Sequence, residues 1–250
     1  GWFGRDCSQN IGDMKVESVL YREAVCLMAA KIIADNRSSV EAVDTWVDQL
    51  SLLSQEPTRF THESGLCSLT AQARILEAIS ESPLSFSQNT MQTMLDATTT
   101  VLDYHKFFDY SNQTAAQKVV RLEKVNDVLR IYCDIVSSTM VVNQFPFSST
   151  KSRLRMMSTK LGSNSSRSQL QLSINEQEAY TGVKMPKMVL PSATSGSWCL
   201  MSLDTIVHND FSEDLLKSNV LSVISPSGVS ALGERVSDVE EEETFTLTLE

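Results

Sequence analysis

Apolar residues recur at every third or fourth position in the N-terminal part of the chain, and this period changes near residue 148. A spacing of three or four places apolar side chains on one face of a helix. After residue 148 apolar and polar residues alternate and turn residues multiply, which is typical of short β-strands. The pattern therefore predicts a helical N-terminal part and a C-terminal part built of strands.

Five stretches carry an apolar stripe at helical spacing, and we predict a helix over each of them. They are 13–35, 38–53, 68–80, 87–103 and 114–142. In the first, the stripe consists of Val16, Val19, Leu20, Ala24, Leu27, Met28 and Ile32. Ser38 and Glu41 have the spacing of a capping box and should begin the second helix. Helices with stripes along their whole length pack on one another, so the pattern predicts a bundle.

Residues 148–168 are rich in serine and contain five basic residues, which indicates a solvated connector. A site for an anionic glycan or for a protease is the alternative there. Beyond it, alternation at 170–174 and 244–250, with shorter apolar runs between turn signals, predicts short strands. Strands at this spacing suggest an antiparallel sandwich. The predicted fold class is α+β: a helical bundle followed by an antiparallel β-sandwich.

The last predicted strand is the most regular, with Phe245, Leu247 and Leu249 on one face and threonines on the other. Such a strand needs a partner for its backbone groups. Because it comes at the end of the chain, we expect the sheet to be incomplete. The expected partners are other segments of the same large protein or neighbouring subunits, joined by strand pairing.

Composition narrows the classes of partner. The 250 residues include 31 acidic and 21 basic side chains, a net charge of −10, which disfavours nucleic acid as a partner. No stretch reaches the ~18–20 apolar residues of a membrane span. Attachment to a membrane is therefore expected only through an anchor outside this chain.

Cysteines and glycosylation sequons favour an extracellular, cell-surface glycoprotein. The five cysteines are Cys7, Cys26, Cys67, Cys133 and Cys199, and the three N-x-S/T sequons begin at Asn36, Asn112 and Asn164. All three sequons fall in predicted loops, where a glycan is tolerated. Cys26 and Cys67 lie on the first and third helices and could be bridged, although four cysteines allow three pairings. Five reduced cysteines in a cytosolic protein remain the alternative.

No motif for chemistry accompanies the three histidines, His62, His105 and His208. The cysteines show no CxxC pair and no metal-ligand spacing to a histidine. We therefore expect no catalytic residues, no metal and no cofactor. An enzyme whose site leaves no local signature is the open alternative.

The first seven residues resemble the last turn of an EGF-like module, in which an aromatic-Gly-x-x-Cys sequence closes the disulfide sheet. This resemblance implies that Cys7 pairs with a cysteine upstream of the chain, in an intermodule disulfide. Most of the remaining sequence resembles the GAIN domain of adhesion receptors and polycystin-like proteins. The closest stretches are 189–192, 197–201, 209–211, 219–223 and the final alternating strand.

Together the two resemblances imply three parts: 1–12 as the end of an EGF-like module, 13–147 as a helical subdomain, and 148–250 as a β-sandwich subdomain. It implies a non-catalytic structural or adhesion module of a large surface protein, on a cilium, a flagellum or the plasma membrane. The family's proteolysis site is a His-Leu-Ser/Thr sequence, and here no histidine is followed by leucine. An intracellular helical scaffold or interaction protein is the alternative function.

Overall fold

A computed structural model of the chain describes ten stretches of the sequence. They are residues 2–3, 9–35, 39–83, 86–151, 153–162, 169–173, 180–184, 195–203, 220–224 and 246–248. The described residues up to Tyr132 belong to one compact unit, and those from Cys133 onward belong to a second.

The first unit is built mainly from α-helices. The described residues contain α1 (Ile11–Ala34), α2 (Val40–Leu53), α3 (His62–Glu81), α4 (Gln88–Leu102) and α5 (Ala115–Thr139), whose last residues from Cys133 belong to the second unit. Short 3-10 helices cover Pro57–Arg59, Tyr104–Lys106 and Tyr110–Asn112, and two-residue strands β1 (Trp2–Phe3) and β2 (Gln9–Asn10) pair before α1. The five predicted helices are all present.

Two helix starts differ from the prediction because other residues cap them. α3 begins six residues earlier than predicted, since Thr61 and Ser64 cap each other: the Thr61 side chain accepts from the Ser64 N–H at 3.3 Å, and the Ser64 hydroxyl accepts from the Thr61 N–H at 2.8 Å. α2 is capped by Ser39, whose hydroxyl accepts from the Ala42 N–H at 3.3 Å. The predicted pair of Ser38 and Glu41 is therefore not the cap, and Ser38 lies outside the described residues.

Aliphatic side chains from all five helices form the core of the first unit. Fully buried members include Ile32, Val43, Leu50, Leu69, Ile75, Leu76, Ile79, Leu95, Val101, Val125 and Leu129. A polar network lies within this core: the Thr98 hydroxyl donates to Gln72 Oε1 at 2.6 Å, and Gln72 Nε2 donates to Ser68 Oγ at 3.1 Å. The hydroxyls of Thr98 and Thr99 also donate to carbonyls one turn back in α4, so a threonine run that disfavours helix in isolation is accommodated here.

α1 does not bury the stripe that its sequence suggests. Met28 and Ile32 are buried, together with Val25 and Ala29 on the same face. The rest of the predicted stripe is exposed, including Val16, Val19, Leu20 and Leu27. Because α1 is apolar on two faces, its spacing alone could not show which face packs on the bundle.

The described residues of the second unit form two antiparallel sheets. Its strands are β3 (Phe147–Thr150), β4 (Leu154–Gly162), β5 (Gln169–Ser173), β6 (Tyr180–Lys184), β7 (Ser195–Leu203), β8 (Val220–Ile224) and β9 (Thr246–Thr248). The first sheet has the order β3-β4-β7-β8, and its longest pairing joins β4 to β7 over nine residue pairs, from Leu154↔Leu203 to Gly162↔Ser195. The second sheet has the order β5-β6-β9.

The predicted β-sandwich is wrong. The described residues are mostly helical, and the strands among them form separate sheets of four and three strands, with no sandwich of two stacked sheets evident. Alternation along a strand shows that one face is apolar, but it does not show what covers that face. The fold class is therefore helix-dominated, with antiparallel sheets in the second unit.

The expected solvated connector over 148–168 is also wrong, because β4 and most of β3 lie within it. Leu154, Met156 and Ser158 are buried while Arg155 and Met157 are partly exposed, so Arg155 and Ser158 belong to an alternating strand. At the chain end, Thr246–Thr248 is a strand that pairs with β6, and Leu247 lies opposite Val183. The rest of 244–250 lies outside the described residues.

Candidate functional site

A fully buried arginine is the centre of the most unusual cluster in the first unit. Arg121, on the second turn of α5, is 2% exposed. Its guanidinium carbon lies 4.1 Å from the centroid of the Tyr104 ring and 5.6 Å from that of Phe107. A guanidinium is planar and weakly hydrated, and it stacks on aromatic faces more readily than an ammonium does. The aromatic loop after α4 therefore provides a surface on which a buried cation is stabilised.

Hydrogen bonds connect this arginine to the start of α3. Arg121 Nη1 donates to Gln113 Oε1 at 2.6 Å and lies 3.4 Å from His62 Nδ1. Gln113 Nε2 donates in turn to Asp109 Oδ1 at 2.7 Å. Both Asp109 oxygens accept from the His62 backbone N–H, at 3.0 and 2.9 Å. A carboxylate at a helix N-terminus compensates the helix dipole and one of the unpaired N–H groups there.

The aromatic loop is fixed against α3 by close packing. The Phe107 ring stacks on Phe60 with centroids 5.3 Å apart, and the Phe108 N–H donates to the Phe60 carbonyl at 2.9 Å. A Cβ at Gly65 would lie 3.0 Å from Phe107 Cε2, so only glycine lets the ring approach α3 this closely. The position of the Phe107 ring, and of the loop that carries it, therefore depends on glycine at position 65.

Burial and the neighbouring guanidinium both act on the His62 side chain. The pKa of His62 is lowered from 6.5, mainly by burial and then by the charge of Arg121, while Asp109 and Glu63 act in the opposite direction. The imidazole is therefore neutral at pH 7, and its Nδ1 is available to accept the hydrogen bond from Arg121.

The pocket beside the cluster is too small for an organic ligand. It is lined by Val101, Leu102, Tyr104, Lys118, Arg121, Leu122 and Val125, and the space open to a water-sized molecule is about 10 Å³. That volume holds about one water molecule. The Lys118 ammonium lies 4.7 Å from the Tyr110 ring centroid at the rim of the same region. The cluster therefore has a structural role: it holds the loop 104–110 against α3 and α5.

We expect the folded protein to become less stable as the pH falls below about 6.5, in part because of His62. Since the folded-state pKa is lowered, the unfolded chain binds a proton in a pH range where the folded chain does not, and acid therefore favours unfolding. Urea unfolding at pH 7.5, 6.5 and 5.5 measures this slope. The variant His62→Gln should lose part of it, and an unchanged slope would contradict the assignment.

Among the described residues, two disulfides connect elements that are distant in sequence, one within each unit. Cys26 on α1 is bonded to Cys67 on α3, which is the bridge suggested from their helical positions. Cys133 at the end of α5 is bonded to Cys199 on β7. Both sulfurs of the second pair belong to fully buried residues, whereas Cys26 and Cys67 are half-buried.

The other residues predicted to matter are placed as follows. Asn112 is exposed at the end of the 3-10 helix Tyr110–Asn112, one residue before Gln113 of the cluster. His105 is half-buried in the 3-10 helix Tyr104–Lys106. Asn36, Asn164, Cys7 and His208 lie outside the described residues.

Sequence reasoning missed the members of the cluster themselves. In the sequence, Arg121 is one of several charged residues of a helical pattern, and nothing sets it apart from the exposed ones. Neither Asp109 nor Gln113 belongs to a recognisable motif. One signal was present: an aromatic-rich loop, 104–110, directly before a helix with a cation near its start. No protein-family model matches the chain, and no curated protein matches it either.

In the part of the chain that the structure describes, no group of three or more His, Cys, Asp or Glu side chains could hold a metal ion. Within the same residues, no helix is both long and apolar enough to cross a membrane.

Proposed function

We propose that this chain is a non-catalytic structural module that works outside the cell, as part of a larger cell-surface glycoprotein. The observation that carries the proposal is the pair of disulfides, Cys26–Cys67 and Cys133–Cys199. Disulfides persist in oxidising compartments and are rare in the cytosol. The two bridges cross-link different units, so each unit gains the stabilisation that a disulfide provides.

Three further features support this function. The buried cluster around Arg121 consists of hydrogen bonds and ring contacts that hold a loop, as a structural role requires. Asn112 is exposed and begins a glycosylation sequon. The order of five helices followed by antiparallel strands is compatible with a GAIN-like helical subdomain, although a sandwich forms no part of the proposal.

The test is to secrete the chain from a eukaryotic host and map its peptides by mass spectrometry without reduction. We expect one peptide pair linked through Cys26 and Cys67, a second through Cys133 and Cys199, and a glycan on Asn112. Reduced thiols at all four cysteines, with an unmodified Asn112, would instead favour the intracellular scaffold.

A matched pair of variants makes the glycan measurement specific. Asn112→Gln removes the acceptor and should abolish the mass of the glycan on this peptide. Thr114→Ser keeps the sequon and also keeps a hydroxyl at the α5 N-terminus, where Thr114 Oγ1 accepts from the Gln117 N–H at 3.2 Å. The serine variant should therefore stay glycosylated and folded, whereas Asn112→Gln, which leaves Thr114 in place, should lose the sugar and keep the helix cap.

A further inference from the structure

The glycosylation sequon that begins at Asn112 has an exposed acceptor in the folded chain. Asn112 ends the 3-10 helix Tyr110–Asn112, and it is exposed together with Thr114, the third residue of the sequon. A glycan on Asn112 therefore extends into solvent and does not displace core side chains. The folded chain can carry a glycan at this position, but carrying a glycan and receiving one make different demands on the sequon.

The hydroxyl that completes the sequon is engaged in a helix cap. Thr114 Oγ1 accepts from the Gln117 N–H at 3.2 Å and donates to Gln117 Oε1 at 3.2 Å, and the Thr114 N–H donates to the same oxygen at 2.9 Å. These reciprocal contacts form a capping box at the N-terminus of α5. An N-x-S/T sequon requires a hydroxyl at its third residue, so the enzyme that reads the sequon contacts that group. In the folded chain the Thr114 hydroxyl already donates its proton within the cap.

The middle residue of the sequon is held by the buried cluster. Gln113 Oε1 accepts from Arg121 Nη1 at 2.6 Å, and Gln113 Nε2 donates to Asp109 Oδ1 at 2.7 Å. The backbone is also fixed: the Gln113 N–H donates to the Tyr110 carbonyl at 3.2 Å, and the Asn112 N–H donates to the Asp109 carbonyl at 2.9 Å. The sequon therefore enters the cleft of a modifying enzyme only after these hydrogen bonds open.

We propose that Asn112 receives its glycan only while the segment from the aromatic loop to the start of α5 is unfolded, and that the capping box and the Arg121 cluster close the sequon once they form. This inference rests on the proposed function, because it concerns a chain that enters the secretory pathway. The fraction of chains that carry the glycan is then set by the rate of transfer relative to the rate at which this segment folds. After folding, the sequon is reached only through local opening.

The transfer itself exchanges one bond for another. Asn112 Nδ2 loses a proton and forms a bond to the anomeric carbon of a lipid-diphosphate-linked oligosaccharide. The bond from that carbon to the diphosphate oxygen breaks, and the diphosphate leaves with the electron pair. The Asn112 side chain has to reach the donor while the enzyme holds the Thr114 hydroxyl, so both ends of the sequon must be free at the same time.

Transfer by purified oligosaccharyltransferase to two forms of the full, unglycosylated chain tests this order of events. One form is folded with its disulfides intact, and the other is kept unfolded by reduction and alkylation of its cysteines, as circular dichroism verifies. Mass spectrometry of the peptide that contains Asn112 gives the rate. We expect transfer to the unfolded form to be at least about tenfold faster, because the folded form is modified only through rare openings. Equal rates on the two forms would overturn the inference and leave the proposed function standing. Transfer to neither form would overturn the inference and also remove Asn112 as support for the proposed function.

Variants outside the sequon test whether the cap and the cluster close it. Gln117→Ala removes the cap and should raise the rate on the folded form by about fivefold, as the loss of a helix cap predicts. Arg121→Ala releases Gln113 and should raise this rate by more than about tenfold. Arg130→Ala, at an exposed position of the same helix, is the control and should leave the rate unchanged. In the unfolded form all three variants should match the unmodified chain, because the sequon is intact. Unchanged rates on the folded form for both Gln117→Ala and Arg121→Ala would overturn the proposal.

Discussion

Replacing both Cys133 and Cys199 with alanine should lower the free energy of unfolding of the second unit by about 4 kcal/mol. The bond closes a loop across a sequence separation of 66 residues, and opening it gives the unfolded chain more conformational freedom. Both residues are fully buried, so their removal also leaves small cavities beside Met156. Alanine is preferred to serine because a buried hydroxyl would add a cost of its own.

Hydrogen exchange followed by mass spectrometry measures this effect unit by unit. Peptides from 133–160 should lose protection in the double variant, while peptides of α2 and α3 should keep theirs. The double variant Cys26→Ala and Cys67→Ala is the control, since it opens a loop with a separation of 41 residues in the first unit. A change below about 1 kcal/mol for the Cys133 and Cys199 variant would contradict the expected role of the bridge.

Replacing Arg121 with alanine should destabilise the first unit by about 3 kcal/mol. Two losses contribute: the stacking of a buried guanidinium on Tyr104, and the hydrogen bond that satisfies Gln113 Oε1. Arg121→Lys should recover only part of this energy, because an ammonium has neither the planar face nor the forked donors. Urea unfolding monitored by circular dichroism gives the difference.

Two comparisons make the Arg121 result specific. Arg130→Ala on the exposed side of the same helix should change stability by no more than about 0.5 kcal/mol. In the Arg121→Ala variant, the His62 pKa measured by NMR should rise, because the nearby positive charge that lowers it is gone. Equal stability of the Arg121 and Arg130 variants, with an unshifted His62, would mean that the cluster contributes nothing.

The sequence predicts the helices well because their signal is local. Apolar residues at three- and four-residue spacing gave all five helices, and only α3 began more than two residues from its expected start. The reciprocal cap of Thr61 and Ser64 was missed because threonine and serine side chains make similar local hydrogen bonds in turns and at helix N-termini. Local spacing could not decide which of the two apolar faces of α1 is buried, since that depends on α3.

Tertiary relations were harder to predict. The strand β4 was not predicted because its sequence contains basic residues and serine. A strand with one buried face tolerates many polar side chains on the other face, so this composition does not exclude a strand. The sandwich was inferred from the number and spacing of strands, which do not determine how sheets are paired. Arg121 was missed because its aromatic partners come from a loop, and nothing local indicates that a helical arginine points inward. The Cys26–Cys67 bridge was accessible to reasoning because both cysteines lie on correctly predicted helices.

The unequal burial of the two disulfides gives them unequal rates of thiol–disulfide exchange. Exchange requires a thiolate to reach a sulfur atom, so its rate depends on access. Cys26 and Cys67 are half-buried and can be reached while the helices stay folded, whereas Cys133 and Cys199 become reachable only when the second unit opens. Under a mild reductant the chain therefore passes through a species whose first unit has lost its covalent tie while the second keeps its own.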